Sequence, residues 1–482
     1  MSSTYQQAVI KQDHDVTREE EYKREFALSV PTSASRKLAS GWLWLGILSL
    51  LGAGLFAILL VLSRTPYIED IFPWVDFFRT ALVVHVDLSV LLWFMSFAGV
   101  LWSLNSSSRL IGFGWVALVL AASGAAMIVL SPFVGPGNPL MSNYVPVLQS
   151  PFFFSALIIF ATGMAVLVLR SLIAVPSSGL WQGGEGSIRV GFYAASISTL
   201  FALAAFGWSY IMIPHSLDSA THYYNYYNLL FWGGGHVLQF TYTLLMLAGW
   251  LWLANACRVK IPLTPRVASI LLVLGLLPVL YVPVIYQSFV GLKGDFMGNY
   301  MEQFTLLMRI GGSFAAMPLG LAIVYGIIVS RRTTVSSPER AALLSSVLLF
   351  AVGGGISLLI KNSNTIITAH YHGTGGAVSL VFMGLTLHLL PRLGYREPDL
   401  KWATLAPYVY GVGQLLHLLG LLWSGGYGVQ RKVAGAAQGL HGFAQTAGMG
   451  LMGFGGLIAV VGGVIFLVVV FKAMRRPVQQ RL

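Results

Sequence analysis

The residues best suited to chemistry are Ala369-His370-Tyr371-His372-Gly373, two histidines one residue apart inside an apolar stretch. A helix turns about 100° per residue, so positions i and i+2 project to roughly opposite flanks. Two imidazoles on opposite sides of one helix can each hold a separate metal or heme iron. A lone buried histidine more often just satisfies a local hydrogen bond. Here His85, His236 and His417 recur at matching positions in three other apolar stretches, so the pair belongs to a layer. His14, His215, His222, His388 and His441 fall in the tail or near the ends of stretches and read as ordinary.

The elements that must position this layer are membrane helices. Hydrophobic residues make up 56% of the chain and charged residues 10%, a balance that excludes a soluble domain of this size. The chain therefore reads as an all-α polytopic membrane protein. Apolar stretches long enough to span a bilayer number twelve: 40–63, 77–103, 109–133, 150–173, 188–214, 226–255, 267–290, 303–329, 340–361, 364–390, 402–425 and 443–472. Connections are short and rich in turn residues, as in Gly135-Pro136-Gly137-Asn138-Pro139. The organisation expected is a polar tail (1–39), one membrane domain (40–472) and a basic tail (473–482). The first tail lacks the apolar core of a signal peptide. Cys257 is the single cysteine, which excludes an internal disulfide; with no Cys-x-x-Cys-His, a covalent c-type heme is excluded too.

Lys and Arg set the orientation. The side bearing the N-terminus holds 22 of the 29 and the opposite side seven, so both termini are expected in the cytoplasm of a bacterial or archaeal inner membrane. The net charge of +12 is thus topology and contact with lipid, and no nucleic acid is expected as a partner. Measured from the outer helix ends, His85, His236, His370, His372 and His417 lie roughly 10–15 Å deep by helix rise. Ionisable groups at that depth are costly and mark function.

A zinc site needs three or four ligands converging on one point. Two opposed histidines argue for two centres instead, and heme iron takes axial imidazole. Gly233-Gly234-Gly235, Gly373, Gly375 and Gly376 would let a flat ring approach the backbone. Close helix packing explains such glycines equally well.

On these residues the chain resembles the catalytic subunit I of the heme–copper oxidase superfamily, which includes terminal oxidases and nitric oxide reductases, from about residue 40 to 472. The resemblance implies a twelve-helix bundle binding two hemes. Within Ala369-His370-Tyr371-His372, it makes His370 the ligand of a high-spin heme and His372 a ligand of a low-spin heme. His85, in Thr80-Ala81-Leu82-Val83-Val84-His85, becomes the second low-spin ligand. His236, in Trp232-Gly233-Gly234-Gly235-His236-Val237, matches the sixth-helix ligand of a non-heme copper or iron. Arg431 and Lys432 match the basic pair that holds heme propionates through charge-assisted bonds. Two departures stand out. The seventh-helix stretch Tyr281-Val282-Pro283-Val284-Ile285-Tyr286-Gln287-Ser288-Phe289-Val290-Gly291 lacks the family's two adjacent histidines, and one histidine alone is a poor metal site. Gln239, Tyr286, Gln287 and Glu302 are the residues that could complete it. Four residues after His236 stands Phe240, where many oxidases carry a tyrosine; the glutamate that many nitric oxide reductases carry nearby is also missing.

The activity implied is reduction of oxygen or nitric oxide, with His370, His236 and Tyr286 as catalytic residues. Electrons would come from a partner subunit, a soluble cytochrome c or a cupredoxin on the outer side, since the chain has no cysteine pair for copper. Oxygen needs four electrons and oxidases draw one from a tyrosine; nitric oxide needs two. Phe240 therefore tilts the expectation toward nitric oxide, although Tyr281 or Tyr286 could substitute. Asp87 is the main carboxylate near the histidine layer, a sparse proton supply that favours a non-pumping enzyme. Arg309 is expected to pair with Glu302. Competing readings are a heme-binding homologue that has lost the metal, and a proton-relaying transporter without heme.

Overall fold

The computed structural model describes residues 25–31, 34–67, 75–135, 137–176, 179–213, 223–288, 296–331 and 336–475. The expectations for His14, His215 and His222 fall outside these residues. Helix α1 is Ala34–Arg64; α2 runs Val75–Val86, through a π-helical turn Asp87–Leu92, into Trp93–Leu104. Then follow α3 (Ile111–Leu130), α4 (Pro151–Ala174), α5 (Gly183–Met212) and α6 (Tyr223–Ala256). The seventh pass, α7, is Pro265–Leu276, a 3-10 turn Leu277–Tyr281 and Val282–Ser288. The eighth, α8, is Phe296–Gly311 and Ser313–Val329. The remaining helices are α9 (Pro338–Ser357), α10 (Thr365–Leu389), α11 (Leu400–Gly426) and α12 (Phe443–Met474).

Eleven of these passes are long and apolar enough to cross a membrane; with the bundle they form, they make this an integral membrane protein. The twelfth is α10, whose 25 residues include Thr365, Thr368, His370, His372, Thr374 and His388. Those polar side chains lower its hydropathy, and α10 is buried against α9, α11, α6 and α2. The polar side chains of α10 are thus enclosed by neighbouring helices, as expected where lipid would not tolerate them.

Helix starts follow local chemistry. Asn364, Thr264, Ser337 and Asp399 each accept a backbone N–H in the first turn of α10, α7, α9 and α11. Pro278 explains the break in α7, because proline removes a backbone donor and crowds the preceding turn. Close packing of α11 on α12 rests on small residues: a methyl at Gly420 would lie 2.3 Å from the Met452 nitrogen. A two-stranded hairpin between α3 and α4 pairs β1 (Pro139–Leu140) with β2 (Val147–Leu148), in the register Pro139↔Leu148 and Leu140↔Val147.

One expectation needs correction, and one choice left open by the sequence is decided. Glu302 and Arg309 both lie exposed on α8, and no ion pair joins them. Seven residues is nearly two turns, or about 10 Å of helix rise, beyond direct reach. The glycines before His236 receive protein rings: Gly233 lies under the Tyr286 and Tyr300 hydroxyls, Gly234 under Phe206, and Gly235 under Tyr144. Gly373 meets the backbone of Gly353. These are the close-packing glycines of the alternative reading.

Candidate functional site

The histidines of the layer share one hydrogen-bonding habit. His85 on α2 turns Nδ1 to the Ala53 carbonyl of α1 at 2.9 Å. His370 turns Nδ1 to the Gly353 carbonyl of α9 at 2.8 Å, and His372 turns Nδ1 to the Gln414 side-chain oxygen of α11 at 3.3 Å. His417 on α11 does the same with the Met452 carbonyl of α12 at 2.8 Å. A carbonyl can only accept, so Nδ1 carries the proton and Nε2 keeps its lone pair. No hydrogen bond occupies Nε2 of His85, His370, His372 or His417 among the described residues. Histidines that ligate a metal show this arrangement, with the second nitrogen donated to a carbonyl that fixes the tautomer and ring orientation.

These residues fit heme. His85 lies within electrostatic reach of His372, and the His417 ring centroid is 4.4 Å from that of His372. His370, on the other flank of α10, leans on α9. A methyl added at half-buried Gly375 or Gly354 would touch nothing within 4 Å, so room remains beside both α10 and α9. Cations also lie near the start of α10 and the end of α1. Arg431 donates to the Ser363 hydroxyl at 3.1 Å, at the start of α10. The loop bearing it is strapped there by a bridge between Asn364 and Gln430. Lys432 reaches the Met141 carbonyl (2.5 Å) and the Asn143 side chain (2.9 Å), and burial, then Arg431, lowers its pKa to about 7. Arg64, at the C-terminal end of α1, has Nε and Nη2 covered and unpartnered and lies within electrostatic reach of His372 and His417.

The non-heme metal position is different. His236 turns Nδ1 to the Trp232 carbonyl at 2.8 Å, but its Nε2 is met at 2.9 Å by the hydroxyl of Tyr144. Tyr144 sits at the tip of the β1–β2 hairpin with φ 68°, a left-handed conformation that costs a bulky residue about 1–2 kcal/mol. Tyr371, the residue between the two α10 histidines, lies within electrostatic reach of the Tyr144 hydroxyl. Among the described residues no group of three or more His, Cys, Asp or Glu could hold a metal ion. The residues present therefore do not fit a copper or iron centre at His236.

None of the expected extra ligands hydrogen-bonds to His236 among the described residues. Gln287 and Glu302 are exposed, and Gln239 is half-buried and makes no hydrogen bond to the histidine among the described residues. Tyr286 is fully buried, but its hydroxyl is engaged with Ser209 (2.8 Å), the Ala205 carbonyl (2.9 Å) and Tyr300 (3.2 Å), beside Gly233. The tyrosine that reaches His236 is Tyr144, which carried no signal in a connection read as turn residues. Asp87 lies in the π-helical turn, fully buried, with both carboxyl oxygens unpartnered. Single π turns inside α-helices are frequent at functional sites. His388 pairs with Glu339 at 2.9 Å, and His441 sits in the turn capping α12 through Gln445.

No known family model matches the chain. An uncharacterized protein of Rickettsia prowazekii (strain Madrid E) is 28% identical over 514 residues, covering 92% of this chain and 98% of that one. An uncharacterized protein of Aquifex aeolicus (strain VF5) is 28% identical over 373 residues, covering 76% and 88%. Among solved structures, a chain of a heme–copper terminal oxidase dimer superposes with a TM-score of 0.69 at 16% identity, covering 93% of this chain and 85% of that one. The twelve-helix bundle is thus the fold of a heme–copper oxidase chain.

Proposed function

We propose that this protein is the catalytic subunit of a respiratory oxidoreductase of heme–copper oxidase type that reduces a diatomic gas. The observation that carries the reading is the shared tautomer of the layer: His85, His370 and His372 hold Nδ1 on an acceptor and leave Nε2 free. His85 and His372 would hold one heme and His370 a second. Bound there, heme would supply one-electron chemistry and, at His370, an open coordination position.

The chain's own residues do the rest. Ala53, Gly353 and Gln414 fix the ring orientations, which is what axial ligation demands. Arg431, Lys432 and Arg64 offer cations to carboxylates on the outer side. Electrons would enter from a donor subunit, a soluble cytochrome c or a cupredoxin on that side, with both termini in the cytoplasm of an inner membrane. The tail 1–39 and the basic tail 473–482 would flank a single membrane domain.

Nitric oxide is the substrate we propose first, because Phe240 stands where a sixth-helix tyrosine would serve oxygen reduction. Oxygen is the second reading, favoured by Tyr144, which brings a phenol to His236 from another part of the chain. The test is consumption of each gas by purified protein with a reduced soluble donor. Faster turnover of nitric oxide supports the first reading and faster turnover of oxygen the second. Heme-loaded protein that consumes neither gas would refute the enzyme and leave a heme-binding homologue. Protein without heme absorbance would refute both.

A further inference from the structure

Hydrogen-bond direction can be assigned along the chain of groups at His236. Nδ1 must donate to the Trp232 carbonyl, so in the neutral ring Nε2 accepts, and the Tyr144 hydroxyl donates to it. Tyr144 has thus spent its one proton on His236, with Tyr371 of α10 within electrostatic reach of it. The result is a directed bond from Tyr144 to His236, joining the hairpin tip to α6. It leaves no lone pair on His236 for a metal.

The arrangement is built rather than accidental. Tyr144 holds φ 68° because its neighbours over-determine the hairpin tip, the condition under which such strain persists and a frequent mark of functional sites. Asn143 donates its N–H to the Asn228 side chain of α6 at 2.8 Å, and Ser142 donates to the Val145 carbonyl at 2.5 Å. Lys432 ties the other side of the tip to the loop after α11. Below, the Tyr144 ring lies directly on Gly235, where any Cβ would be 2.3 Å from its Cγ. The ring packs edge-on to Trp232 at 5.6 Å and against His236 at 4.7 Å. Tyr371, near the pair, keeps 39% of its surface uncovered, so open space lies beside the pair. α7 contributes nothing to the same point, since Gln287 faces outward and Tyr286 is engaged elsewhere.

We infer that the position opposite the His370 heme is filled in this chain by the hydrogen-bonded Tyr144–His236 pair instead of a non-heme metal, and that the Tyr144 phenol is the polar group meeting a diatomic ligand there. This rests on the heme reading of His370. Tyr144 is in these terms a ligand-contacting residue, while Lys432 and Asn228 position it.

The experiment uses the full-length, heme-loaded protein with carbon monoxide as the probe. Metal analysis is expected to find iron equal to heme and no further metal per chain. Tyr144→Phe keeps the ring and its packing but removes the hydroxyl, and is expected to shift the C–O stretching band while heme content stays at the wild-type level. Asn228→Ala, which loosens the tip without touching the phenol, is expected to broaden the band toward that of Tyr144→Phe. A stoichiometric third metal that is lost in His236→Ala would overturn the inference, as would a Tyr144→Phe band superimposable on wild type. Absence of heme in the wild-type protein would instead overturn the functional reading itself, so the two failures are distinguishable.

Discussion

Substituting alanine for Gly235 perturbs the site with a single methyl. The added Cβ would stand 2.3 Å from Tyr144 Cγ and 2.4 Å from its Cβ, whereas ordinary contact begins at 3.4 Å, so the ring must retreat by about 1.1 Å. Both atoms lie at the root of the side chain, and rotation about χ1 cannot carry the Cβ away. The backbone at Tyr144 must move, against the Asn228 and Lys432 tethers. A retreat of that size takes the hydroxyl, now 2.9 Å from His236 Nε2, beyond hydrogen-bonding distance. Overpacking of this kind costs about 1–3 kcal/mol, partly offset by the roughly 0.5–1 kcal/mol that alanine gains over glycine within a helix. A net loss of about 1–2 kcal/mol lowers the docked population by roughly 5–30-fold. The assay is the carbon monoxide vibrational spectrum of the reduced protein, normalised to heme content. Gly235→Ala should show the Tyr144→Phe band as its main component. Gly112→Ala, at an exposed position where an added Cβ meets nothing, should match wild type. A wild-type spectrum from Gly235→Ala, with Tyr144→Phe shifted, would refute the placement of Tyr144 over Gly235.

Further outcomes are expected elsewhere. Lys432 holds a pKa of about 7 in the folded chain, against roughly 10.4 when unfolded. Between those values the unfolded chain binds more protons, so this contribution to stability grows as pH rises from about 7 to about 10.4 and is lost as pH falls back. The thermal midpoint of Lys432→Met should therefore depend less on pH across that window than that of wild type; equal slopes would contradict the assignment. Asp87→Asn should keep both heme signals and slow turnover several-fold if the buried carboxyl carries protons, which steady-state gas consumption would reveal. Arg64→Leu leaves an apolar side chain where two guanidinium nitrogens lack partners, and should weaken retention of the low-spin heme during purification, read as heme per chain.

The sequence-level reading succeeded where physics acts locally. Each of the twelve hydrophobic runs corresponds to one helical pass. His370 and His372 do diverge, one leaning on α9 and the other on α11, as helix geometry requires. What stayed hidden depended on contacts far apart in the chain. Tyr144 and His236 are separated by 92 positions, and nothing in Met141-Ser142-Asn143-Tyr144 announces a side chain folded back onto α6. The break in α7 and the π-helical turn at Asp87 likewise reflect packing that a hydropathy profile averages away. Glu302 and Arg309 carry opposite charges but stand nearly two helical turns apart, a separation that proximity in sequence does not reveal.

The central claim is that α10 carries two hemes on opposite flanks. Its most direct test is one set of reduced-minus-oxidised and carbon monoxide difference spectra, with heme counted per chain, on wild type, His372→Ala and His370→Ala. The account predicts two hemes in wild type, one of them binding carbon monoxide. His372→Ala should lose the low-spin bands and still bind the gas, whereas His370→Ala should lose gas binding and keep the low-spin bands. A wild-type protein without heme, or two variants that each retain both signals, would contradict it.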